Sequence, residues 1–332
     1  MLNIRDLANA SGYSMATVSR ALSNSPAVKE ETRIKILLKA KSLGYEVNPY
    51  VGHLMSALRR RSGGAFKGNL AIVWLGGRPA KESDVRLLQM QRGMVKWAEE
   101  HGYILSEFDY SAQSPAALRK ILWSRGIRGI VVVAASHSAG KSYFNFNLKD
   151  FACVSFGCGL VLPRLHNVRL DYHNAIREAL HFARHKFRAG IAAIWNFKTD
   201  RRAQHAVRTA FLLHHPGGSA LARKLFLDFD RLDAERIRSM FQRYKVHCVI
   251  VEASLKLPSW LRGLVPDKNM IWLREPDSAD AFGWIDTRNE LGGEWVLDLL
   301  SDKLLKHEYG VPEIPQTLLV PPRWVSGNER RD

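Results

Sequence analysis

Apolar and polar positions follow two rhythms along this chain. Over the first 47 residues the apolar side chains recur every three or four positions, the period of short helices packed into a small core. Ile4, Leu7, Ala8 and Ala10 make one such stripe, and Ser11-Gly12 breaks it. Val18, Ala21 and Leu22 make a second, with Ser14 as its predicted N-cap. A third helix is predicted from Glu30 to Leu43, closed by Gly44-Tyr45, with Ile34, Leu37, Leu38 and Leu43 turned into the core. From Gly68 onward, strand-length apolar runs alternate with amphipathic stretches, the pattern of parallel sheets covered by helices on both faces. Strands are predicted at 69–75, 103–108, 129–135 and 151–155, and helices near 86–100 and 115–124. A second series places strands at 191–195, 224–228, 248–252 and 270–273, with helices near 174–185, 202–213, 234–244 and 259–264.

The second helix leaves Met15, Ala16, Thr17, Ser19 and Arg20 on or near the face opposite its apolar stripe. Small residues at a helix start let the backbone approach base edges, hydroxyls reach phosphates, and a guanidinium can fork onto guanine. Met15, Ala16 and Arg20 are therefore the candidate base readers, and Ser14, Thr17 and Ser19 the candidate phosphate contacts.

The order of these motifs, IRDLANASGYSMATVSRALSNSPAVKEETRIKILLKAKSLGYEVNP, closely resembles the headpiece of the LacI/GalR family of bacterial transcriptional regulators. The resemblance implies a helix-turn-helix headpiece over 1–47, a hinge helix and linker over 48–67, and a two-lobed effector-binding and dimerisation core over 68–332. It implies a homodimer on near-palindromic operator DNA and a small-molecule effector, a sugar or sugar derivative. It further implies that the hinge helix, opened here by Asn48-Pro49, wedges a leucine into the minor groove. Counting from Tyr45 that leucine is Leu54, with Leu58 as the alternative register.

The doubled strand-helix series resembles a type I periplasmic-binding-protein core, whose chain crosses between lobes three times. The crossings are expected near 160–171, 282–286 and 315–322. The first lobe would then hold about 68–160 and 287–332, including a helix at 290–300 and a closing strand at 318–320, and the second about 161–286. Ligands of such sheets bind where strand C-termini open into a crevice. The candidates there are Trp74, Arg78, Ser136, Trp195, Arg201, Arg202, Arg274 and Glu275. Two departures from the family bear on this choice. Val207 stands where many members carry an effector-gripping arginine, and the carboxylate that binds a sugar hydroxyl is either Glu275 or absent.

Charge sharpens the reading at the front of the chain. The formal net charge is +17, and residues 1–67 hold 11 Lys/Arg against 4 Asp/Glu, which suits a polyanionic partner. Three cysteines, Cys153, Cys158 and Cys248, lie in or beside apolar runs without ligand spacing and read as reduced thiols. His181 and His185 stand four apart on one helix face, but no third ligand accompanies them. No nucleophile elbow, phosphate-cradling loop or zinc-type cysteine pair is present, so the expectation is a regulator rather than an enzyme, without metal or cofactor. A solute-binding protein or an enzyme bearing a basic helical extension is the alternative. The absence of a charged-then-apolar leader and of any apolar run near the ~20 residues of a membrane span leads to the expectation of a cytoplasmic protein.

Overall fold

A computed structural model describes residues 4–22, 28, 30–43, 67–78, 85–134, 142–252, 255–276 and 280–327. The hinge candidates Leu54 and Leu58 and the cleft candidate Ser136 lie outside these residues.

The headpiece is three helices: α1 (Ile4–Ser11), α2 (Met15–Leu22) and α3 (Glu30–Ser42). Between the first two, Gly12 takes a left-handed φ of 73° and donates its N–H to the Ala8 carbonyl at 3.0 Å, a conformation that suits a residue without Cβ. Leu7, Ala8, Val18, Ala21, Val28, Ile36 and Ala40 form the core. The third helix therefore sits in a different rotation from the one predicted. Ile36 and Ala40, four apart, face inward, while Ile34, Leu37 and Leu38 are exposed, as is Ala10 on α1. In Ile34-Lys35-Ile36-Leu37-Leu38-Lys39-Ala40 apolar residues occur all round the helix, so spacing singles out no stripe.

The core is built on two six-stranded sheets. The first has the order β13-β7-β5-β3-β1-β2, all parallel, from β1 (Gly68–Leu75), β2 (Tyr103–Asp109), β3 (Gly129–Ala134), β5 (Ala152–Phe156), β7 (His166–Leu170) and β13 (Thr317–Val320). The short strands β4 (Ser142–Tyr143) and β6 (Leu160–Leu162) pair separately. The second sheet has the order β14-β12-β11-β10-β8-β9. Its strands are β8 (Ile191–Trp195), β9 (Phe226–Asp228), β10 (Cys248–Val251), β11 (Met270–Trp272), β12 (Gly283–Asp286) and β14 (Arg323–Ser326), the last antiparallel to β12. Helices α4 (Val85–His101), α5 (Pro115–Ser124) and α12 (Asn289–Leu305) accompany the first sheet. With the second run α6 (Tyr172–Phe187), α7 (Phe197–Arg202), α8 (Ala206–His214), α9 (Gly218–Leu225), α10 (Ala234–Arg243) and α11 (Ser259–Leu264). None of the described helices is long and apolar enough to cross a membrane.

Each lobe has its own buried apolar core, and three passages join them. The expected division shifts at two of these passages. His166–Leu170 pairs with Ala152–Phe156, so the first sheet keeps the chain to residue 170 rather than 160. Segment 323–326 returns to the second sheet instead of staying with the first. The predicted passage at 282–286 is itself a strand. The helix expected over 202–213 is two helices, because Gln204 and His205 take positive φ and the buried Asp200 carboxylate accepts the Arg208 N–H at 3.2 Å to start α8. His181 and His185 meet only edge-to-face, with ring centroids 5.5 Å apart, and no cluster of three metal-binding side chains occurs among the described residues.

Two features make measurable demands, a helix contact and a buried histidine. A Cβ on Gly93 would lie 1.9 Å from the Glu290 carbonyl oxygen, and one on Gly293 2.0 Å from that of Met90, so α4 and α12 touch through backbone at both. Gly293→Ala is expected to destabilise the core by about 1–3 kcal/mol through overpacking, read as a lower urea midpoint. The buried histidine is His215, 4% exposed, whose Nε2 donates to the Ile191 carbonyl at 2.9 Å while Nδ1 accepts the Gly217 N–H at 3.1 Å. Protonation would set Nδ1–H against that N–H, and burial already pushes the imidazole below its ordinary 6.5. The unfolded chain therefore takes up this proton first, so stability falls as pH drops from about 6.5 toward the lower folded value. The melting temperature should decline from pH 7 to 5, and His215→Gln should flatten that slope. An unchanged slope would remove His215 as its source.

Candidate DNA-reading helix and effector cleft

Helix α2 is short, and its start is held by side chain and backbone together. Ser14 Oγ accepts the Thr17 N–H at 3.2 Å and lies 2.9 Å from the Thr17 hydroxyl, and the Ser14 carbonyl accepts the Val18 N–H at 2.9 Å. With Val18 and Ala21 buried, the helix can turn only one face outward, and Met15 and Arg20 are exposed on it. Thr17 is partly exposed. Ala16 and Ser19 fall within α2, though their side chains are outside the described residues. A short helix with a hydroxyl pair at its start and a guanidinium near its end can enter a major groove and contact both backbone and base edges.

The second site lies between the lobes, where the C-terminal ends of β3, β5, β8, β10 and β11 converge. The cleft holds about 920 Å³ of empty space open to solvent. Phe156, Tyr172 and Trp195 supply its aromatic walls, and Thr199, Asn289, Arg86 and Arg202 its polar groups. Its one acid among the described lining residues, Glu252, is 2% exposed. Glu252 Oε2 accepts the Asn196 N–H at 2.8 Å and the Thr199 hydroxyl at 2.9 Å, so it ties β10 to the start of α7. Cys158 also lines the cleft. Burial pushes its thiol up, while the guanidiniums of Arg169 and Arg202 beside it act in the opposite direction. On the other wall Asn289 Nδ2 donates to Thr287 Oγ1 at 2.6 Å and to Gln89 Oε1 at 3.1 Å, coupling the second passage to α4.

Of the residues expected at the cleft, Trp195 and Arg202 line it. Arg274 and Glu275 line an adjoining recess that shares Arg86 and Asn289 with the cleft. Trp74 does not reach the rim: both faces of β1 are covered, and Trp74 is fully buried with its indole N–H donating to Glu107 Oε2 at 2.9 Å. Arg78 is exposed and engages Glu107 on β2, and Arg201 is exposed on α7 outside the cleft. Arg86, Phe156, Tyr172, Glu252 and Asn289 were not anticipated. Glu252 carried a readable signal, a carboxylate at the C-terminal end of the apolar run Cys248–Val251, whereas Arg86 and Asn289 open helices whose starting points only the tertiary fold brings to the crevice.

Comparison with known proteins bears on both parts. The family of bacterial regulatory proteins named for LacI matches residues 3–48. Over 48 residues the chain is 50% identical to the HTH-type regulator ExuR of Bacillus subtilis, 14% of each chain. Over 210 residues it is 25% identical to an HTH-type transcriptional regulator of Lachnoclostridium phytofermentans, 60% of this chain and 57% of that protein. The alignments thus span less than two thirds of either relative. The solved structure of a LacI-family regulator from Enterococcus faecium, with bound ribose, superposes with a TM-score of 0.50 at 12% identity, covering 78% of this chain and 97% of that one, and shares its fold. The N-terminal helices are thus similar to the LacI family of bacterial regulatory proteins over residues 3–48, and the two-lobed α/β core behind them shares the fold of the Enterococcus structure.

Proposed function

We propose that this protein is a sequence-specific transcriptional regulator that binds operator DNA as a homodimer in the cytoplasm and responds to a small molecule held between its lobes. The observation that carries the reading is α2: Ser14 caps it, Val18 and Ala21 pin its inner face, and Met15 and Arg20 stand outward together. One headpiece reads one half-site, so two-fold pairing on a near-palindromic duplex follows. The cleft supports a sugar-class effector, since aromatic faces at Phe156, Tyr172 and Trp195 suit a ring while Thr199 and Asn289 suit hydroxyls. The Enterococcus protein of the same fold holds ribose. Lobe closure on the effector would respace the two hinge segments, with Leu54, or in the alternative register Leu58, as the minor-groove wedge. In this reading the protein acts by binding DNA and effector.

The reading is tested with a duplex selected by the full-length protein from a random pool. Arg20→Ala should weaken binding to that duplex by about 1–3 kcal/mol per half-site while leaving affinity for unrelated DNA nearly intact. Competition fluorescence anisotropy measures both. An undiminished preference for the selected duplex would overturn the assignment of Arg20, and failure of the wild-type protein to enrich any duplex would overturn the regulator reading. In the hinge, Leu54→Ala should reduce the bend imposed on the selected duplex, as read from gel mobility with the site permuted along the fragment. Loss of the bend in Leu58→Ala alone would move the wedge to Leu58.

A further inference from the structure

Residues 68–332 carry ten of the seventeen net positive charges, an excess that a small-molecule cleft does not call for. Part of it gathers at one end of the first lobe. The strands of the first sheet all run parallel, so their starts share an end, opposite the cleft. The chain enters the lobe at that end, where the Lys67 N–H donates to the Gly102 carbonyl at 2.7 Å just before β1. Helix α5 ends there too. Segments 115–128, 147–151 and 163–165 bring Arg119, Lys120, Arg125, Arg128, Lys149 and Arg164 to this end with one acid, Asp150, which pairs with Arg119. The strands hold this backbone in place: Asn69 Nδ2 donates to the Arg125 carbonyl at 2.9 Å, and the Ala152 N–H to the Arg128 carbonyl at 2.8 Å. Other acids at this end stand apart from the group. Glu99 and Glu100 close α4 on the opposite face of the sheet, Glu308 pairs with Lys303, Asp302 with Lys306, and Glu313 precedes the edge strand β13.

Two of these guanidiniums are laid on aromatic rings. Arg128 stacks on Trp123 with its Cζ 3.3 Å from the ring centroid, and that of Arg125 lies 5.6 Å over Phe108. Stacking holds the planar fork in place and leaves its edge N–H groups to phosphate oxygens, with less rotamer freedom still to lose. Burial and the neighbouring Arg119 push the Arg128 guanidinium below its ordinary value, a penalty that an anion relieves. Adjacent strands stand about 4.8 Å apart, so the starts of β1, β3, β5 and β7 span roughly 15 Å, the rise of about four phosphates along one strand of a duplex. We infer that this end of the first lobe is a second DNA surface, which takes the phosphate backbone flanking the site that α2 reads. This inference rests on the regulator reading above. The contact carries no base information, since every sequence presents the same phosphates. It adds affinity and salt dependence, while α2 keeps the specificity.

The test is competition anisotropy of the full-length protein on two forms of the selected duplex, one trimmed to the site itself and one extended by about two helical turns at each end. The wild type should bind the extended form about tenfold or more tightly, and its affinity should fall more steeply with sodium chloride, by about 0.9 in logarithmic slope for each added phosphate contact. Arg125→Gln, Arg128→Gln and Lys149→Gln combined should remove most of that advantage and flatten the slope. Affinity for the trimmed form and preference for the selected sequence should stay as they were. Lys149→Gln with Arg164→Gln, both on exposed side chains, should remove a smaller share, which keeps the surface testable if loss of the stack on Trp123 lowers the melting temperature. Arg223→Gln, Arg236→Gln and Arg238→Gln combined, exposed on the second lobe, remove the same charge as the first set and should change neither quantity. Equal wild-type affinity for the two forms, an advantage that survives both sets of first-lobe variants, or equal losses in the second-lobe set would overturn the inference. Its failure is separable from that of the regulator reading. A protein that selects a duplex but gains nothing from the flanks loses this surface and keeps the regulator, whereas one that enriches no sequence yet binds long DNA through these residues does the reverse.

Discussion

The backbone contact between α4 and α12 governs the geometry of the core. Gly93 and Gly293 let two 17-residue helices approach until carbonyl oxygens stand where side chains would otherwise be. Both helices begin at the cleft, α4 with Val85-Arg86 and α12 with Asn289, so the depth of that contact sets where Arg86 and Asn289 project. It also anchors the second passage between the lobes, because α12 follows β12 after two residues. A side chain at either glycine would push the two helices apart and so shift Arg86 and Asn289 at the cleft.

The second lobe spends its buried polar groups on a different task. Asp200 holds the first turn of α8, Glu252 holds the start of α7, and His215 joins β8 to the entry of α9. These connections are where the chain changes direction most sharply, and each leaves a backbone N–H or carbonyl away from water. Supplying a side-chain partner at those points lets the loops beneath the cleft remain ordered without regular structure, so that Trp195, Thr199 and Arg202 are presented from a firm base.

Much of this architecture was legible because strongly periodic segments dominate. Ile191–Trp195, Ala234–Arg243 and Pro115–Ser124 are continuous or cleanly amphipathic, and neighbouring turn residues bound them. The misreadings share a cause. Helix α3 has apolar residues on every side, so only packing against α1 and α2 selects Ile36 and Ala40. Trp74 sits at the end of a strand buried on both faces, where alternation carries no information about the rim. Strands β7 and β14 carry no clear strand signal, because His166-Asn167-Val168-Arg169-Leu170 and Arg323-Trp324-Val325-Ser326 are short, polar-rich and neither continuous apolar runs nor strictly alternating. Helix α2 is legible because its chemistry is local: cap, inner face and guanidinium fall within the eight residues Ser14 to Ala21. Cleft residues are assembled from eight separate segments, and no single stretch of sequence announces them.

The threefold passage between the sheets imposes an order on assembly during synthesis. Strands β13 and β14 lie within ten residues of one another, yet one completes the edge of the first sheet and the other the edge of the second. Most of the first lobe leaves the ribosome roughly 120 residues before α12 and 150 before β13 arrive to cover and finish it, a delay of order ten seconds at ~5–20 residues per second. Over that interval the apolar face that α12 will bury, including Val131, Val154 and Val168, is open to solvent and to other nascent chains. The headpiece, made of local contacts alone, can fold long before, so a nascent chain carries the finished helices α1 to α3 well before the cleft between its lobes is complete.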